Sequence, residues 1–168
     1  MATSLSNATL TVTLEEDITL NGSRQGSKNV LRISDINEIY KRIVNCPASS
    51  ETTVVHFKQV AGAAGGATKF DGALDVQDVK YVRLTNLDSS NSITLSLQIE
   101  VGEDDSGADY STSILVEAGK SFIMGSVEDG IAAADDATTL VTDLVDLDSL
   151  VVQPGGNAVD VEIFVASS

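Results

Sequence analysis

Tryptophan is absent, aromatic residues make up 4% of the chain, and there is one histidine and one cysteine. Each scarcity closes off a class of protein. With only three Tyr, the aromatic platforms that usually serve sugar binding are short of material. Cys46 alone cannot form an intrachain disulfide, and zinc-type Cys/His clusters are missing. Basic residues are few: 10 Lys and Arg against 25 Asp and Glu give a net charge of −15. Such a chain makes a poor partner for nucleic acid and is repelled by anionic membranes. No apolar run approaches the roughly 20 residues that cross a bilayer. Met1 to Leu10 has neither the basic nor the apolar region of a secretory leader, so synthesis in a cytoplasm is the expectation. The sequons Asn7-Ala8-Thr9 and Asn21-Gly22-Ser23 are then read as chance matches. The acidity suits solubility, or more sharply a cation-screened outer surface.

What is there is aliphatic. Apolar residues make up 42% of 168, enough for one domain, residues 1–168, with a real core and no need of metal or disulfide. Period-two alternation dominates. Ile93, Leu95, Leu97, Ile99 and Val101 point one way, and Ser92, Thr94, Ser96, Gln98 and Glu100 the other, as in a strand with one buried and one wet face. Leu95 and Leu97 are therefore core candidates. Leu10, Val12 and Leu14 alternate with threonines, and Val159, Val161, Ile163 and Val165 alternate with polar residues. Val79 to Leu84 reads as a strand leading through Asn86–Asn91 into the Ser92 strand, the clearest hairpin candidate. Further strands are expected at Thr52–Lys58, Ser113–Glu117, Lys120–Met124, Leu140–Val145 and Leu150–Val152. Ser34–Val44 fits a strand or a capped helix with Ile36, Ile39, Tyr40 and Ile43 as its stripe; strand is preferred, continuing into a hairpin across Pro47. The expectation is an all-β antiparallel sandwich, jelly-roll-like, with long loops at Gln59–Thr68, Gly102–Tyr110 and Gly125–Thr139, the last two acidic.

Catalytic constellations are thin. His56 sits mid-strand between Val55 and Phe57, and no G-x-S-x-G elbow accompanies it. Cys46 beside Pro47 reads as a small buried hydrophobe. Gly119-Lys120-Ser121 ends like a phosphate loop but lacks the upstream glycine, and reads as a hairpin turn. Glu103, Asp104, Asp105 and Asp109 fall within seven residues, and Glu128, Asp129, Asp135 and Asp136 share another loop. Clustered carboxylates can supply calcium oxygens, but no EF-hand spacing is present, and a solvated face is the preferred reading. No cofactor and no enzyme activity are expected.

Tyr81-Val82-Arg83-Leu84-Thr85-Asn86-Leu87-Asp88, then Asn91-Ser92-Ile93-Thr94-Leu95 and the Ala118–Phe122 turn, resemble small virion proteins of tailed phages of marine bacteria and cyanobacteria. The resemblance covers roughly Lys80 to Gly125 and holds no catalytic motif. It implies a β-sandwich or jelly roll that binds the major capsid protein or other virion subunits, most simply as a capsid decoration or cement protein on the capsid exterior. Alternatives are a tail or fibre component with receptor binding as one role, or a small jelly-roll hydrolase or sugar-binding module. A homo-oligomer, such as a trimer, is expected of a symmetric lattice. Residues 1–14, and within them the alternating Thr3–Thr13, are a candidate docking arm able to add to a neighbour's sheet.

Overall fold

The computed structural model describes residues 7–58, 74–99, 110–125, 132–133 and 145–168. Its strands are β1 (Ala8–Glu15), β2 (Thr19–Leu20), β3 (Ser23–Arg24), β4 (Lys28–Ile36), β5 (Glu38–Cys46), β6 (Thr52–Lys58), β7 (Leu74–Asp75), β8 (Val79–Asn86), β9 (Ile93–Ile99), β10 (Tyr110–Val116), β11 (Ser121–Gly125), β12 (Ala132–Ala133), β13 (Val145–Pro154) and β14 (Val159–Ser167). One 3₁₀ turn, Val76–Asp78, is the only helical element among the described residues. The fold is all-β. Ser34–Val44 holds no helix: it divides between β4 and β5, with Asp35 in the left-handed region at φ 61° where the chain turns from one strand to the next.

Two sheets pack face to face. One has the order β11-β8-β14-β5; the other runs β10-β9-β13-β6-β7, with β12 on β13. Every pairing is antiparallel except β6 with β7. The core between them is aliphatic, as the composition requires. Val82, Leu84, Val161 and Ile163 come from the first sheet, and Leu95, Leu97, Ile99, Leu150 and Val152 from the second. Leu95 is fully buried and Leu97 nearly so. Alternation in β9 and β14 thus assigned the inward face correctly.

It did not identify the partner strand. β8 and β9 are not a hairpin, because they lie in opposite sheets. The same holds for β5 and β6 around Pro47, for β10 and β11 around Gly119, and for β13 and β14. Each is an arch that carries the chain across the roughly 10 Å between sheets. The physical reason is plain for β8 and β9. Both inward rows are needed to fill one core, so they face each other instead of lying side by side. The Gly119 turn is tight, with Lys120 N donating to Glu117 O at 3.1 Å and Gly119 at φ 67°, yet it too spans the sheets.

The segment Ala8–Ile36 belongs to neither sheet. β1 pairs with β4 alone, and β2 pairs with β3 across Asn21-Gly22. Both turn residues have positive φ, 50° and 78°, the requirement of a type I′ hairpin turn. Glu16 N donates to Ser27 O and Gln25 N to Ile18 O, which ties the two short pairings into one long hairpin. Gly26 is required there: an added Cβ would stand 1.8 Å from Glu16 O. β4 was missed in sequence because Lys28–Ile36 does not alternate cleanly. The Asn21-Gly22 pair, read only as a sequon, was the available signal.

Candidate interaction surfaces

The sequence-predicted carboxylate clusters, Glu103, Asp104, Asp105 and Asp109 and then Glu128, Asp129, Asp135 and Asp136, lie outside the described residues, as does Leu140–Leu144. Among the described residues no group of three or more His, Cys, Asp and Glu could hold a metal ion, and no helix is long and apolar enough to cross a membrane. Cys46 is buried at the end of β5, and burial pushes its thiol upwards against a hydrogen bond from Thr52. A raised thiol is a poor nucleophile. His56 is half-exposed on β6, with Nδ1 3.1 Å from Phe57 O and 3.7 Å from Asp148 Oδ1.

The four arches meet at one end of the sandwich and are stitched together. Asn86, fully buried, donates from Nδ2 to Asn91 O at 2.8 Å and Val116 O at 3.3 Å, and accepts from Asp88 N at 3.0 Å. Asp88 Oδ1 accepts from Ser90 N and Asn91 N, both at 2.7 Å. Leu87 N donates to Asp160 O, and Ser49 N to Gly155 O. Asn86 and Asp88, at the end of the Tyr81–Asp88 stretch, therefore serve as corner hardware. Between the arches lies a groove of about 540 Å³ bordered by Ser49, Asn91, Gln153 and Asn157 among eleven residues, none ionisable. It offers hydrogen bonds and no general acid or base.

The backbone amides of Ser90 and Asn91 hold the Asp88 carboxyl below the usual range. Arg83, then Lys41, does the same to Glu162 on β14. A folded-state pKa below the unfolded one contributes stability at higher pH that disappears as pH falls through the folded value. Stability is therefore expected to decline below about pH 4. Asp88→Asn should make that decline shallower in acid titrations followed by circular dichroism; an unaltered acid limb would show that this carboxylate does not matter.

The outer face of the four-stranded sheet is different in kind. Tyr81, Phe164 and Ala166 on that face are covered by Ile33, Ile36, Leu10 and Val12 from the base of the long hairpin. The Tyr81 and Phe164 rings meet edge to face at 6.0 Å. Asn7 and Ser34 hydrogen-bond the Asp35 carboxylate at the turn, and Asn37 N donates to Ser167 O at 3.0 Å. The hairpin is thus anchored at its base. From base to turn it reaches about 40 Å at ~3.3 Å per residue.

Away from that base its apolar side chains are uncovered. Leu14 is 52% exposed, Ile18 54% and Leu20 59%, with Val30 and Leu31 also exposed. In register, Leu10 opposes Ile33 and Val12 opposes Leu31, so one apolar stripe begins buried against the sheet and continues into the open on the same side. Beside the base, β5 forms the edge of its sheet, and Ile39 and Ile43 point outwards at 58% and 64% exposure. Sequence reading singled out residues 1–14 but not this pairing with β4, because the partner strand lacked periodicity. No family model matches the chain, and no curated protein or solved structure matches it either.

Proposed function

We propose that this chain is a non-enzymatic structural protein that works by contact, and that the Ala8–Ile36 hairpin is its docking arm. The observation that carries the reading is the arm itself. A two-stranded hairpin is marginal alone in water, and this one holds exposed Leu14, Ile18 and Leu20 beyond the part that packs on its own body. Exposed apolar surface of that kind marks interaction sites.

The setting we propose is a virion of a tailed phage, with the protein as capsid decoration or cement on the head exterior, held by the major capsid protein. Support comes from the resemblance around Lys80–Gly125 and from the net charge of −15, which suits an outer surface better than one lining packaged DNA. Eight strands form the two main stacks, β10-β9-β13-β6 and β11-β8-β14-β5, with paired positions joined by the four arches. That order supports reading the sandwich as a jelly roll, an architecture used in capsids and elsewhere.

Ile18→Ser with Leu20→Ser, at the arm tip, should leave the melting temperature within a few degrees of the parent and reduce binding to particles stripped of this protein at least tenfold. Deleting Ala2–Leu14 should abolish binding, since it removes β1 but no strand of either main sheet. Binding at full affinity by the tip variant would sink the docking-arm reading. Imaging of labelled protein on intact particles checks the location; label confined to the tail would overturn the capsid assignment.

A further inference from the structure

Charge and apolar exposure are partitioned along this chain in the same way. Ala8–Cys46, the arm together with β5, contains five carboxylates and five cations and is neutral, so the remainder carries the whole net charge of −15. Of the eleven large hydrophobic residues exposed among the described ones, seven lie in this neutral segment: Leu14, Ile18, Leu20, Val30, Leu31, Ile39 and Ile43. Two copies meeting through their other surfaces would repel each other strongly. The neutral segment is where like-charged chains can touch.

The segment is also complementary to itself. The arm's stripe, Leu31 and Leu14, lies on the side of the hairpin that faces the sheet, continuing from Leu10 and Ile33. Ile39 and Ile43 lie on the side of the sheet that faces the arm, Ile39 directly beside the covered Ala166. Charges on both surfaces are largely matched already. On the arm, Glu15 pairs with Lys28 and Asp17 with Arg24, each at 3.2 Å, and on the outer row of β5 Lys41 pairs with Glu162 at 3.1 Å. β5 is nine residues long, runs against β14 without a bulge, and has no described strand on its other edge. Long open edges of this sort invite pairing.

We infer that two copies clasp one another about a twofold axis, the arm of each lying along β5 of the other. Leu31 and Leu14 of one copy cover Ile39 and Ile43 of its partner, and the same contacts recur in reverse, as an isologous interface requires. The inference rests on the reading of the arm as a docking element and names a second copy of this chain as its first occupant, leaving the tip free for the particle.

Sedimentation of the full chain tests it. The intact protein should sediment at twice its chain mass of 17.5 kDa at micromolar concentration. Ile43→Asp and Leu31→Asp, both at exposed positions, should each weaken self-association at least tenfold with unchanged far-UV circular dichroism. A chain monomeric at about 100 µM overturns the clasp, as does a dimer indifferent to Ile43→Asp and Leu31→Asp. Particle binding by the tip variant reports only on the proposed function, and sedimentation only on the clasp, so either can fail alone.

Discussion

Leu95→Ala is expected to lower the unfolding free energy by about 3–5 kcal/mol, read as a fall in the urea midpoint with an unchanged slope. Leu95 is fully buried in β9, a strand flanked on both sides, opposite Ile114 of β10 and Val152 of β13. Its side chain belongs to the core that the two sheets share, along with Leu84 and Ile163 of the other sheet. Neighbours held in two ladders cannot move in to fill the space, so the cavity adds to the lost transfer free energy. Leu97→Ala should cost about 2–5 kcal/mol for the same reason. Thr94→Ala, on the outward face of the same strand, is the control and should stay within about 0.5 kcal/mol. A loss that small for Leu95 would mean that the inward row of β9 has been misassigned.

Asn86→Ala should cost about 2–4 kcal/mol, unusual for a polar residue. The amide ties together three backbone groups, Asn91 O, Val116 O and Asp88 N, from the arches that follow β8 and β10. Its removal leaves two carbonyls without their donor at a site shielded from water, and buried unsatisfied groups carry their full desolvation cost. Asn86→Asp should be at least as damaging, because it sets a carboxylate against those two carbonyls. Thermal melts measure the effect. Hydrogen exchange should place the loosening at Asp88–Asn91, whose amides depend on the same corner. A shift of less than about 0.5 kcal/mol would show that water takes over the amide's bonds.

How far the fold could be read in advance differs from strand to strand. Thr52–Lys58 was placed to the residue, and Ile93–Ile99 and Val159–Ser167 nearly so. β9 is wet on one face, so burial writes itself into period two; β6, with adjacent Val54 and Val55 both buried, and β14, with Phe164 and Ala166 beneath the arm, were found from their β-branched and alternating residues all the same. β8 was found, but its alternation is blurred: Tyr81 faces outwards and is still buried, beneath the arm. β4 went unseen for the related reason that only Ile33 and Ile36 in it are buried, three residues apart. A strand that packs at one end and is exposed at the other has no steady period to detect. The candidate surface was half legible. The N-terminal alternation pointed to β1, the neutral charge of Ala8–Cys46 could have been counted, and Asn21-Gly22 announced a turn. Nothing local shows that this hairpin stands outside both sheets.

The sequence by itself determined the material of this protein: an all-β chain, an aliphatic core without disulfide, an acidic surface, and the inward row of each regularly alternating strand. Those follow from solvation, which acts residue by residue and so is recorded residue by residue. Only the tertiary structure decided which strands lie side by side, that the short connections are arches and not hairpins, and that Ala8–Ile36 leaves the sandwich to become an arm. Alternation states which face is buried and not what buries it. The choice of partner is made by filling one core from two sheets and by bonds such as Asn86 to Val116 and Leu87 to Asp160 that join residues far apart in the chain.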